Sequence, residues 1–93
     1  MDLSALPGGE FVERGLRDLA EGKETAESLL VLVGGTRLRA LGVPVPAESG
    51  GTPPEHRLYD LLARGDPASA HSRYNALIRK LVRFERAAEC VPA

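Results

Sequence analysis

The sequence predicts an all-α domain: a small four-helix bundle-like fold with a long amphipathic C-terminal helix. Three observations carry this reading. Ala70, Tyr74, Leu77, Leu81, Phe84 and Ala88 recur at alternating four- and three-residue steps, the spacing of one helix face. Prolines follow residues able to cap a helix at Thr52-Pro53-Pro54-Glu55 and at Asp66-Pro67. Glycines fall where the helical patterns stop, at Gly22, Gly42 and Gly65.

The first helix is expected from about Gly9 to Glu21, with Phe11, Val12, Leu16 and Leu19 on its apolar face and Gly22 as terminator. The second begins near Glu24-Thr25, where Thr25 caps and Glu27 suits the first turn. Leu29–Val33 also fits a buried strand, because five consecutive apolar residues with two β-branched members suit either state. Helix is favoured because Thr25–Ser28 leads into the run with no turn signal. At Gly34-Gly35 either the helix ends and restarts at Thr36, or the glycines admit a close neighbour; inside one helix the pair would cost about 2 kcal/mol relative to alanine.

Residues 42–52 (GVPVPAESGGT) read as a mobile loop joining two helical pairs. The third helix starts in the Thr52–Glu55 capping box, presents Leu58, Tyr59, Leu61 and Leu62, and ends near Arg64. The fourth runs from about Pro67 to Glu89 behind Asp66 as cap. Its roughly 23 residues would span about 35 Å, so part of it should project or be covered by a partner.

At 93 residues the chain is one domain, 1–93. With 43% apolar and 27% charged residues it has the composition of a folded globule. Cys90 is the single cysteine, which excludes an intrachain disulfide and a multi-cysteine metal site. Self-association is then the remaining way to bury more surface. A net charge of −1 gives no overall field toward nucleic acid or an anionic membrane. The distribution is uneven. Residues 1–30 carry seven acids and three bases, residues 67–93 five bases and two acids, so the ends are expected to complement each other within the fold or across a dimer. Met1–Leu6 shows no cationic start or apolar core of an export signal, and Leu29–Val33 is too short to cross a bilayer. The expected location is the cytoplasm, with no membrane partner. Arginine outnumbers lysine ten to two, which fits a GC-rich genome and a thermophile.

Two clusters are candidates for chemistry. Arg79, Arg83 and Arg86 stand at i, i+4 and i+7, flanked by Arg73 and Lys80, so one side of the fourth helix could lie against phosphates. Glu85 and Glu89 interrupt that field, and no aromatic alternates with the arginines to stack on bases. His71-Ser72-Arg73-Tyr74-Asn75 offers His71 as an acid–base group and Arg73 as an anion stabiliser. Glu55, His56 and Asp60 are too few for a metal site, and no cofactor motif occurs: Gly22-Lys23-Glu24-Thr25 lacks the upstream glycine and the Lys-Ser/Thr pair of a phosphate-binding loop.

These observations lead to a non-enzymatic protein–protein interaction or assembly module. It is expected to be homodimeric through Tyr74, Leu77, Leu81, Phe84 and Ala88, without metal or cofactor. A nucleic-acid-binding regulator using Arg73, Arg79, Lys80, Arg83 and Arg86 is the alternative. A small hydrolase or nuclease centred on His71 and Arg73 is the second.

Overall fold

The apolar run at Leu29–Val33 decides the architecture, and it is helical. In this computed structural model, which describes residues 3–47 and 51–90, the described chain contains helices and no strand. A short 3-10 turn, Leu3–Ala5, precedes α1 (Gly9–Ala20), α2 (Ala26–Val33), α3 (Gly35–Ala40), α4 (Pro54–Gly65) and α5 (Ala70–Glu89). Five α-helices therefore stand where four were expected, because the second expected helix divides at Gly34.

Local chemistry explains most of the boundaries. Gly22, at φ 73°, closes α1 in the left-handed conformation. The N–H of Lys23 donates to the Asp18 carbonyl at 2.8 Å and that of Gly22 to Leu19 at 3.1 Å, satisfying two carbonyls of the last turn. Thr25 caps α2 as expected. Its Oγ1 accepts from the Ser28 N–H at 3.1 Å, and the Ser28 Oγ accepts from the Thr25 N–H at 2.8 Å. The Thr25 hydroxyl also donates to the Asp18 carboxylate at 2.6 Å, tying the cap of α2 to the end of α1.

Two expected starts shift. Pro54 restricts its predecessor to extended backbone, so Pro53 (φ −56°, ψ 144°) becomes the N-cap of α4. Thr52 then lies one position too early, and the Thr52–Glu55 capping box does not form. Pro54 does occupy the first helical position, where its missing N–H costs nothing. Asp66 organises a turn rather than capping α5. Its carboxylate accepts from the Ala68 N–H at 3.2 Å and the Ser69 hydroxyl at 2.8 Å, while the Ser69 N–H donates to the Asp66 carbonyl at 3.2 Å. That three-residue turn delays α5 to Ala70.

Packing is organised around α2. Ser28, Leu29, Leu30 and Val31 are buried in succession, so the helix is covered around its whole girth. Packed against it are α1, α4, α5 and α3. Gly15 of α1 is the closest approach: a Cβ there would lie 2.5 Å from the Glu27 carbonyl oxygen and 2.6 Å from Val31 Cγ2. Gly34 serves both alternatives considered from the sequence, ending α2 and admitting a neighbour. A Cβ on it would meet Leu81 Cδ1 and Cδ2 at 3.0 Å and Glu85 Oε2 at 3.3 Å.

The expected mobile loop is anchored at its start. Val43 and Val45 are buried in the core, and the Arg39 guanidinium donates to the carbonyls of Val45 and Pro46 at 3.3 Å each. Residues 48–50 of that loop lie outside the described residues. α5 is shorter than expected: its 20 residues span about 30 Å. No helix among the described residues is long and apolar enough to cross a membrane.

The α1–α2 contact gives a direct test. Gly15→Ala gains helix propensity but drives a methyl into the backbone of α2, so it should destabilise by about 1–3 kcal/mol in urea denaturation. Gly22→Ala, with nothing within 4 Å, should cost only the left-handed conformation, about 1–2 kcal/mol. A stabilised Gly15→Ala variant would contradict the packing.

Candidate functional site

Most of the described cations that have no ion-pair partner lie on α5. Leu81, Phe84 and Ala88 of the sequence-predicted seam are buried inside the chain's own core, and Tyr74 and Leu77 pack against it half-buried. Opposite that stripe, Arg79, Arg83 and Arg86 occupy one outward face, all exposed, with Lys80 exposed beside them. Arg73 is also exposed, at the N-terminal part of the helix. Among the described residues none of these five cations has a carboxylate within ion-pair distance.

The two acids that interrupt this field in the sequence do not do so in space. Glu85 follows Leu81 by four residues and precedes Ala88 by three, which puts it on the inward stripe. Only 10% of its side chain is exposed, beside Gly34. Arg37 of α3 reaches both acids, with its Nε 3.7 Å from Glu85 and its Nη2 in contact with Glu89. The negative charges of α5 are thus neutralised from α3, and the cationic face is left uninterrupted.

Two grooves flank that face. One, of about 440 Å³, lies between the N-terminal segment and α5 and is lined by Arg14, Lys80 and Arg83, with Glu10 as its carboxylate. The other, of about 400 Å³, is lined by Ile78, Arg79, Val82, Arg83 and Arg86. Arg83 lines both. Among the described residues the complementarity expected between the acidic N-terminal third and the basic C-terminal part is not made through ion pairs, although Glu10 shares a groove with Lys80 and Arg83. Ion pairs among the described residues join Arg14 to Glu27, Lys23 to Glu21, Arg57 to Glu24 and Arg37 to the two acids of α5. None links residues 1–30 to residues 67–93.

The catalytic candidates are not brought together. His71 and Arg73 are two positions apart on α5, which points them to different sides. His71 Nε2 lies 3.2 Å from Asn75 Nδ2, and both residues are exposed. Cys90 is exposed at the end of α5. Among the described residues no three His, Cys, Asp or Glu side chains cluster closely enough to hold a metal ion. Comparison with models of known families, with curated proteins and with solved structures finds no match to this chain.

Burial raises the Glu85 carboxyl above its ordinary value of 4.5, while the Arg37 charge opposes the shift. The folded protein therefore holds this proton to higher pH than the unfolded chain does, and Glu85 costs stability as pH rises through its folded-state value. Glu85→Gln cannot ionise. Its stability relative to wild type, read by urea denaturation, should be higher at pH 7 than at about pH 4, below the onset of the shift. A difference independent of pH would contradict the buried placement.

Proposed function

We propose that this chain is a non-enzymatic binding module whose working surface is the outward face of α5, and that the face engages the phosphate backbone of nucleic acid. The observation that supports this is the uninterrupted set Arg79, Lys80, Arg83 and Arg86, which have no ion-pair partner among the described residues while Arg37 takes up both acids of the helix. Unpaired guanidinium groups on a rigid helix suit phosphate oxygens, because each presents a planar fork of donors. The lack of aromatics on this face suits backbone contact better than stacking. Recognition of this kind is tolerant of sequence.

Self-association is the second reading. What favours it is the part of α5 that the core leaves half-covered, Tyr74, Leu77, Ile78 and Val82. A homodimer through these side chains would add to α5 without withdrawing Leu81, Phe84 or Ala88 from the core. Light scattering over a concentration series should then give twice the 9.9 kDa chain mass. A mass of one chain at every concentration would exclude this reading and leave the first intact.

The first reading is tested by binding of an arbitrary-sequence DNA duplex across a salt series. Four phosphate contacts predict a log–log slope of about −3.6, and Arg79→Gln/Arg83→Gln/Arg86→Gln should reduce it to about −0.9 with a large loss of affinity. Absence of binding at low ionic strength, or a slope unchanged in the triple variant, would refute the proposal.

A further inference from the structure

The chain has four aromatic residues, and they divide cleanly. Phe11 and Phe84 are in the core; Tyr59 of α4 and Tyr74 of α5 meet at the surface, with ring centroids 5.8 Å apart and planes inclined by 55°. Tyr59 is 38% exposed, the one large apolar side chain left open to that extent among the described residues. Around the rings lies a groove of about 370 Å³, completed by Glu55, His56 and Asp60. Helical spacing produces this grouping: Glu55 and Tyr59, and likewise His56 and Asp60, are four residues apart on α4.

Neither carboxylate is engaged in an ion pair among the described residues, and neither tyrosine is held there by a hydrogen bond. Glu55 is close enough for its charge to reinforce the upward shift that burial imposes on the Tyr74 hydroxyl. Two tilted aromatic faces and two free carboxylates make a surface that attracts positive charge in two ways. The rings offer their negative faces and an apolar contact, and the acids supply net charge. An alkylated ammonium group uses both, whereas a hydrated metal ion uses only the second.

We propose that this groove is a binding site for a small organic cation bearing an ammonium group, recognised jointly by the Tyr59 and Tyr74 rings and the Glu55 and Asp60 carboxylates. A volume of about 370 Å³ falls in the range of small-molecule sites and fits a headgroup rather than a protein segment. The site is separate from the arginine face, so it stands whether or not that face binds nucleic acid.

With no tryptophan in the chain and both tyrosines in the groove, intrinsic tyrosine fluorescence reports on this site alone. Choline is titrated at constant ionic strength against 3,3-dimethyl-1-butanol, its uncharged isostere. The expected result is a saturable change with choline, and a midpoint for the alcohol about three- to thirtyfold weaker. Glu55→Gln/Asp60→Asn should weaken choline and narrow its advantage over the alcohol without abolishing it, since the rings remain, and Tyr59→Leu should weaken choline binding about threefold or more. Circular dichroism checks that both variants keep the helical fold. Equal midpoints for the two ligands, no saturable change with choline, or unaltered choline binding in either folded variant would overturn the assignment.

Discussion

Burial of the central turn of α2, Ser28–Val31, on every side is the constraint on which the rest of the structure depends. An eight-residue helix cannot persist alone in water, since its nucleation cost exceeds what so few hydrogen bonds return. Its composition compounds the problem, because Leu29, Leu30 and Val31 are apolar at consecutive positions and so leave no side suited to solvent. Neighbours must therefore enclose it. Gly15 allows α1 to come against its backbone, Thr25 fixes its entry through Asp18, and Gly34 ends it where Leu81 of α5 needs room. Each of these residues acts through the space or the bond it provides to α2.

That enclosure sets what α5 can do. Leu81, Phe84 and Ala88 are drawn into the core, and Glu85, on the same stripe, goes inward with them. A carboxylate there would be costly unpaired, and Arg37 lies at the distance needed to offset part of the cost. The outward face is left with arginines and no acid. A single helix thus serves the core with one side and presents concentrated positive charge with the other, although the whole chain carries a net charge of −1. Steering by such a face is local and short-ranged in physiological salt, where screening acts over about 8 Å.

The sequence made the helical class legible because the signals that set it are local. Periodic apolar residues mark α1 and α5, Gly22 ends one helix and Thr25 starts the next. Capping motifs were legible only in part. The Thr52–Glu55 pattern has the right residues, but consecutive prolines move the cap by one position. Asp66-Pro67 resembles a helix start and folds instead as a turn, because the Asp66 carboxylate finds Ala68 and Ser69 first. Glu85 shows a different limit. Read by its neighbours it belongs to a mixed surface, whereas read by the 3.6-residue period it falls between Leu81 and Ala88. Its partner Arg37 is 48 positions away in the chain (85 − 37), a distance that no local pattern spans. The tyrosine groove is illegible for the same reason, since helical spacing puts Tyr59 and Tyr74 each on the apolar face of a separate helix.

On the proposed function, α5 is divided between an inward side that covers α2 and an outward cationic side that binds phosphate. Mapping NMR shifts during titration with a DNA duplex tests both halves at once. The expected changes are confined to the Arg79, Lys80, Arg83 and Arg86 signals, with the amides of Leu29–Val31, Leu81 and Phe84 unmoved. Shifts concentrated at Leu81, Phe84 and α2, with the arginine signals unmoved, would contradict it, because α5 would then have to leave the core in order to bind.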